Sequence, residues 1–577
     1  MKKYWIILLI LLLIIINFKD TLRFSLTGDD WGALYYYYAH FTNRFTYFNL
    51  SRYLGNYDAS HIIMGEISKL FGFNPLPYYA LSMVARTVAS ISFIPVIKKL
   101  TNNTSAAYLS AILFSVMYTG VESTNWVFNM TTYLSIGVFN LFLFVFNFRN
   151  KKIFNKHLML SMLLMFTVFF VTPIRMHGVI ITIPLMLLLL GKIYDERVNI
   201  TRIIIHSIFL IAPVLIFNLS TASQFNNNYL KLASNLTSLQ LSNFFLPFSH
   251  IGSALLPNKI IFLFFKNISR PDIVAPNTFP IYSLFMLTIL SFFTVILKYL
   301  LNHNKFVKPT IIATTIFYLT LWLALLYDKT GLYNNLVVLL DTLIGIWVSS
   351  LYFFFFLYIF KTDKNRGYTG LYFLTLSITF ILIPWLVFPQ GIMPSDSRYL
   401  LAPGAYLIVC TTLILSYLEK RSKILFLYIY TVIFLIINIY SLQEYFHENI
   451  LNGRLQNDHL RVAGVINDEV ASLDNEKVSV FLFTGPDDGY IYNTIRFGFP
   501  YYMLLKHPEL RFNAKTAPFA VDNFESLKQV YQNPQSSEII RYGYEGFNIN
   551  ADQIYSFNID RSFVINTTLD TRKIISP

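Results

Sequence analysis

The stretch LMLSMLLMFTVFFVTPIRMHGVIITIPLMLLLLG, residues 158–191, decides how this chain is built. Read as one α-helix it extends for about 50 Å, far beyond the ~30 Å hydrocarbon core of a bilayer. It is interrupted by Thr172-Pro173-Ile174-Arg175-Met176-His177-Gly178, where proline and glycine bracket polar side chains. Basic residues flank it on both sides: Arg149, Lys151, Lys152 and Lys156 before, Lys192, Arg197 and Arg202 after. Short cytoplasmic loops collect Lys and Arg, so basic flanks at both ends require an even number of crossings. The stretch therefore reads as a hairpin of two short spans with its tip, at Arg175, pointing outward.

Working outward, apolar runs of spanning length lie near 4–18, 78–97, 105–120, 131–148, 203–219, 281–297, 309–327, 336–360, 368–388, 400–418 and 424–440. The loops alternate in charge. Lys98/Lys99, the 149–156 cluster, 192–202, Lys298/Lys305/Lys308, Lys361/Lys364/Arg366 and Lys420/Arg421/Lys423 fall on one side. The short loops of the other side hold only Arg175, Lys329 and Arg398. The expectation is an all-α polytopic membrane protein of about thirteen transmembrane helices, N-terminus inside and C-terminus outside, in the plasma (cytoplasmic) membrane. Met1-Lys2-Lys3 followed by Tyr4 to Ile16 resembles a signal peptide, but no small-x-small cleavage site follows, so it reads as an uncleaved first helix.

Composition agrees. Of 577 residues 55% are hydrophobic and only 13% charged, with mean hydropathy +0.51. A soluble domain carries about twice that charge. The deficit is concentrated in residues 1–440, read as the transmembrane domain with long outer loops at about 19–77 and 219–280. Phe244 to Phe265, in the second of these loops, is apolar enough to lie along the interface or re-enter the membrane. Residues 441–577 have soluble composition and read as a small extracytoplasmic α/β domain. There Val462, Ile466, Val470 and Leu473 have helical spacing, and Lys477 to Thr484 is β-rich. The formal charge of +14 is accounted for by the basic loops, so no nucleic-acid partner is expected. The single cysteine, Cys410, lies in an apolar run and excludes an internal disulfide.

The sharpest chemical signal is Thr27-Gly28-Asp29-Asp30-Trp31-Gly32, directly after the first helix. Two adjacent carboxylates are notable in a chain so sparing of charge, although Asp at a helix N-terminus is also an ordinary cap. In the same loop follows Ser51-Arg52-Tyr53-Leu54-Gly55-Asn56-Tyr57-Asp58-Ala59-Ser60-His61, and then Leu70-Phe71-Gly72-Phe73-Asn74-Pro75-Leu76-Pro77 leads into the second span. Gly120-Val121-Glu122-Ser123-Thr124-Asn125-Trp126 follows the third span, and Pro394-Ser395-Asp396-Ser397-Arg398-Tyr399-Leu400 precedes the twelfth.

In this order the motifs resemble the GT-C superfamily of membrane glycosyltransferases, in particular the protein O-mannosyltransferase-like and aminoarabinose-transferase-like branch. The shared features are an acidic pair opening the first outer loop, a Phe-Gly-x-x-Pro lead into helix two, and an Arg-Tyr before a late helix. The resemblance covers residues 1–440 and leaves the tail unassigned. The chain lacks the Trp-Trp-Asp motif expected of an oligosaccharyltransferase. The resemblance implies a glycosyltransferase whose donor is a polyprenyl-phosphate-linked sugar and whose acceptor is a glycan, lipid or protein at the outer face.

That chemistry needs a base for the acceptor hydroxyl and positive charge on the departing phosphate. Asp29 and Asp30 are the candidate bases, with the choice between them open. Arg52, Arg175, Arg270 and Arg398, together with Tyr399, are the candidates for the donor phosphate. At a membrane boundary arginine also simply snorkels to headgroups. Asp58 and His61 are further substrate-binding candidates and, with Asp30, could hold a divalent metal ion. Arg86, inside the second span, is expected to face the interior with a partner. His177, His250 and the turn at Asp487-Asp488 carry no separate signal. The competing reading is non-enzymatic: a transporter or flippase for lipid-linked saccharides, or a scaffold for envelope assembly. A transporter places ionisable groups at the midplane and often repeats itself, whereas the acids here cluster at one surface and no repeat is visible.

Overall fold

The computed structural model describes residues 2–26, 28–38, 58–146, 156–193, 200–220, 239–265, 275–301, 305–389, 391–422 and 426–471. It also describes residues 502, 505 and 506 and strands at 479–484, 519–521, 553–558 and 566–569. The helices that matter below are α1 (Lys2–Phe18), α2 (Asp29–Tyr37), α3 (Asp58–Phe71), α4 (Pro75–Thr101), α5 (Thr104–Ser115), α6 (Thr131–Val145), α7 (Lys156–Val171) and α8 (Gly178–Ile193). They continue as α9 (Ile200–Ser220), α10 (Leu246–Leu255), α11 (Asn258–Phe265), α12 (Ala275–Leu301), α13 (Val307–Leu325), α14 (Leu336–Thr362) and α15 (Lys364–Val387). The last are α16 (Leu401–Ser422), α17 (Phe426–Leu451) and α18 (Gln456–Ala471).

Among the described residues nine helical segments are long and apolar enough to cross a membrane, which makes this a multi-pass membrane protein. Shorter apolar helices occupy the other expected runs, at Thr104–Ser115, Lys156–Val171, Gly178–Ile193 and Ile200–Leu215. The break expected within 158–191 is present. α7 ends at Val171, Thr172 leaves helical geometry (φ −151, ψ 79), a single helical turn follows at Pro173–Met176, and α8 begins at Gly178. Gly178 sits against the backbone of Thr379 and Phe380 in α15, where an added Cβ would come within 2.8 Å of them.

Local chemistry sets several helix ends. Asn74 caps α4 by accepting from the Leu76 N–H, with Pro75 in the first helical position, where its missing N–H costs nothing. At the far end Asn102 adopts a left-handed conformation (φ 51) that closes α4. Asn335 and Asp363 cap α14 and α15 in the same side-chain manner. Apolar Phe244–Phe265 is neither one span nor a loop: it forms α10 and α11. α10 packs backbone to backbone on α14 through Gly252 and Gly345, whose missing side chains would strike the Asp341 and Phe248 carbonyls.

The charge in the second long span is accommodated as expected. Arg86 is fully buried, with Nε donating to the Ser115 carbonyl (3.0 Å) and Nη1 to Thr124 Oγ1 and the Tyr133 hydroxyl (2.8 Å each). Nη2 reaches the Met117 carbonyl, and the guanidinium lies 4.0 Å from the Phe18 ring centroid. Arg86 thereby joins α1, α4, α5 and α6 near one end of the bundle. The arrangement satisfies the hydrogen-bonding capacity of a charge that the apolar interior would otherwise penalise.

Beyond α17 the chain turns at Gly453 (φ 75) and enters α18, the helix expected from the spacing of Val462 and Ile466. Arg454 is buried, donates from Nη2 to the Asn125 carbonyl (2.7 Å), and its own carbonyl accepts from the Ser25 N–H (2.8 Å). The β-rich run near Lys477 is strand β1 (Ser479–Thr484). It pairs in parallel with β2 (Phe519–Val521) and β3 (Gln553–Asn558), and β3 pairs antiparallel with β4 (Asn566–Leu569). The sheet order is β2-β1-β3-β4.

Candidate active site

The acidic pair opens a helix. Gly28 adopts φ 52, ψ −119, a conformation that glycine tolerates and a side chain resists, and α2 starts immediately after it. Asp29 and Asp30 fill the first turn, where negative charge is favourable. Their environments differ. Asp30 is wholly buried and its Oδ1 accepts the Phe128 N–H at 2.8 Å. Asp29 is half-buried. The helix is pinned by Trp31, whose indole N–H donates to the Leu26 carbonyl at 2.8 Å. The same indole stacks on His459 at 5.8 Å and meets Tyr502 edge-on at 5.0 Å, which attaches the tail directly to the acid-bearing helix.

Four of the expected site residues, Asp30, His61, Arg175 and Arg398, meet one short segment, Trp126–Thr132, that leads into α6. Asp30 holds the Phe128 N–H, and the His61 ring lies 5.7 Å from the Phe128 ring. Ser60, between Asp58 and His61, shares a hydrogen bond with Thr131 at 3.1 Å. Arg175 is buried and donates from Nη1 to Thr132 Oγ1 and from Nη2 to Asn129 Oδ1. Arg398 stands 4.5 Å from the centroid of Trp126. Tyr399 connects the two arginines: its ring centroid lies 5.4 Å from the Arg175 guanidinium and 5.3 Å from that of Arg398.

Arg398 has a carboxylate partner that its own motif does not reveal. Glu122 Oε2 accepts from the Arg398 backbone N–H at 3.2 Å and stands 3.5 Å from Nη1. The segments carrying the two residues also share backbone hydrogen bonds, Gly120 N–H to the Ser395 carbonyl (2.8 Å) and Glu122 N–H to the Asp396 carbonyl (3.1 Å). Gly120 (φ 75) allows the approach, since a Cβ there would fall 2.5 Å from Leu401 Cβ. Burial, reinforced by the negative charge of Glu122, pushes the Asp396 carboxyl up to about 6. Lys259, which pairs with Glu448, opposes that rise.

Asp58 and His61 begin α3 with Oδ1 and Nδ1 3.8 Å apart. Among the described residues no group of three or more His, Cys, Asp or Glu side chains could hold a metal ion. Arg52, Arg270 and the Asp487-Asp488 turn lie outside the described residues. His250 is buried, with Nε2 3.3 Å from the Gly391 carbonyl, so it braces the loop that leads to Arg398.

Asn129, Thr131, Thr132 and Arg454 form much of the framework yet carry no signal in the sequence. They are uncharged polar residues in an apolar context, or an isolated arginine in the tail, and only their partners reveal what they do. Arg398 with Glu122 was foreshadowed by two separate motifs, but not their meeting.

No protein-family model matches the chain, and no curated protein matches it. Among solved structures, a complex titled archaeal oligosaccharyltransferase AglB from Archaeoglobus fulgidus, with an inhibitory peptide and a dolichol-phosphate, has TM-score 0.43 and 12% identity over 96% of this chain and 70% of that one. A complex of the Archaeoglobus fulgidus oligosaccharyltransferase with Zn and sulfate has TM-score 0.40 and 9% identity over 96% and 68%. The apo form has TM-score 0.33 and 11% identity. Similarity at this level assigns nothing to the present chain, and the functional reading rests on its own residues.

Proposed function

We propose that this protein is a membrane glycosyltransferase that moves a sugar from a polyprenyl-phosphate donor to an acceptor hydroxyl at the outer face. The observation that carries the reading is the meeting of acid and arginines on one turn. Phe128 is held by Asp30 and Trp126 is covered by Arg398, two positions apart, while Arg175 grips Asn129 and Thr132 beside them.

In the proposed reaction Asp29 takes the proton of the acceptor hydroxyl. Its carboxylate is the half-exposed member of the pair, whereas Asp30 is committed to the backbone. The acceptor oxygen forms a bond to the anomeric carbon as the bond from that carbon to the phosphate oxygen breaks. The electron pair of the broken bond goes to the phosphate, which leaves with the lipid. Arg398 and Arg175, spaced by Tyr399, stabilise the charge that accumulates there. Phosphate is a good leaving group, so the reaction requires no strong general acid.

The orientation belongs to the same proposal: thirteen crossings, N-terminus inside, and the domain formed by residues 441–577 outside, over α2. Transfer of labelled sugar from a short-chain polyprenyl-phosphate donor by purified wild type and the Asp29→Asn variant tests the reading. Equal rates at equal amounts of folded protein would remove Asp29 from the reaction.

A further inference from the structure

A second site lies away from the acid pair, on the flank of the bundle. α1, α4 and α6 enclose a groove of about 1060 Å³, walled by Ile7, Val88, Leu134 and Leu141 among other apolar side chains. This is the size of a site for a small molecule or a lipid chain, roughly 300–1,000 Å³. Its floor is Gly137, where an added Cβ would approach nothing closer than 3.9 Å. The walls belong to spanning helices, and Val88 and Leu141 are 53% and 46% exposed. Along this apolar length water finds few hydrogen-bond partners.

One end is different. Lys98, Lys99 and Asn102 close the groove at the last turn of α4. Lys99 is already committed, its ammonium donating to the carbonyls of Leu143 (3.2 Å), Phe144 (2.6 Å) and Phe146 (2.7 Å) at the end of α6. Lys98 is exposed, and among the described residues its ammonium has no hydrogen-bond or ion-pair partner. The groove is therefore apolar along its length and cationic at one mouth, where the spanning helix α4 ends.

We propose that this groove binds an anionic phospholipid, with an acyl chain lying over Gly137 and the phosphate at Lys98 beside Asn102. Charge complementarity selects the occupant: a zwitterionic lipid would fill the apolar length equally well but brings its own cation to the mouth. A basic residue near an anionic lipid headgroup contributes about 1 kcal/mol, or roughly five-fold in affinity. The inference does not depend on the proposed reaction, since none of these residues belongs to that site.

Native mass spectrometry of the full chain in detergent tests it, with dioleoylphosphatidylglycerol, dioleoylphosphatidylcholine and a polyprenyl phosphate added at equal concentration. Wild type should retain phosphatidylglycerol over phosphatidylcholine. Lys98→Gln should reduce that preference several-fold, and Gly137→Leu, which fills the floor, should reduce retention of both phospholipids. Lys361→Gln, at another helix end, should leave binding unchanged. Equal retention of the two phospholipids by wild type, or an unaltered preference in Lys98→Gln, would overturn the proposal. Preferential retention of the polyprenyl phosphate would overturn it in favour of a carrier-lipid site. If Gly137→Leu does not fold, the exposed Lys98→Gln variant decides alone.

Discussion

Arg175 and Arg398 approach one aromatic ring, that of Tyr399, at 5.4 and 5.3 Å. Two guanidiniums gathered around a single side chain repel one another. Glu122 pairs with Arg398, and Arg175 donates to Asn129 Oδ1 and Thr132 Oγ1. An anion placed between them would relieve that repulsion. This is the physical basis for assigning the pair to the donor phosphate.

The arginine prediction follows from geometry. Arginine grips phosphate with a planar fork, and lysine offers a point charge. Arg398→Lys should give a partial loss of transfer and Arg398→Ala a larger one, visible in donor affinity, turnover or both. Transfer rate against donor concentration, at matched folded protein, reads this out. Three superimposable curves would leave Arg398 as a headgroup anchor only.

The acidic pair should divide into two roles. Asp29→Asn is expected to fold normally and to lose roughly 10²–10⁴-fold in turnover, the usual contribution of a positioned base. Asp30→Ala should instead destabilise the protein by about 1–3 kcal/mol, because the buried Phe128 N–H loses its acceptor. Thermal unfolding in detergent beside transfer assays separates the two. A stable but inactive Asp30→Ala protein together with an active Asp29→Asn protein would reverse the assignment.

Topology is open to direct labelling. Single cysteines near Asn227, Gly391 and Asn548 should react with an impermeant maleimide from outside. Those near Asn155 and Asn365 should react only after the membrane is opened. The background is favourable, since the natural Cys410 is buried. Cytoplasmic labelling at position 548 would refute the odd number of crossings.

What the sequence disclosed and what it withheld divide along physical lines. Spanning helices are legible because the bilayer imposes a length and an apolar composition, so α4, α14 and α16 appear close to where hydropathy puts them. The break at Thr172 is legible because proline and glycine act locally. Tertiary convergence is not. Nothing local to Phe128 announces that its N–H will be held by Asp30, nor does Glu122 announce Arg398. Asp30, Asp58 and His61 are recognisable in the sequence as polar residues of one outer loop, but that Asp30 Oδ1 accepts a backbone N–H is visible only once the chain is folded. Likewise the apolar stretch around α10 has the composition of a membrane segment. That it breaks at Leu256 and packs its glycine face on α14 depends on the Gly252–Gly345 contact.

The last prediction concerns Asp396, two residues from Arg398, in the loop braced by His250. Its carboxyl is pushed up to about 6 by burial and by Glu122, against an ordinary value of 3.8. An acid with a raised folded-state pKa binds its proton more tightly in the folded protein than in the unfolded chain. Its contribution to stability is therefore fully present below about 4 and is lost as pH rises through about 6. At neutral pH the loop carries a half-buried carboxylate beside a second one, held in part by Lys259. Asp396→Asn removes that cost while keeping the shape of the side chain. The variant's unfolding temperature, compared with wild type, should shift in the variant's favour as pH is raised from 4 to 7, with little further change above 7. Glu122→Gln should flatten the wild-type dependence from the other side, since it removes the neighbouring charge, and should also loosen Arg398. Melting curves of wild type and Asp396→Asn at half-unit pH intervals give the difference directly. A gap that stays constant between pH 4 and 7 would show that Asp396 ionises as an ordinary surface acid. A gap that moves in favour of wild type would show that the carboxylate is stabilised by its neighbours, with Lys259 outweighing both burial and Glu122.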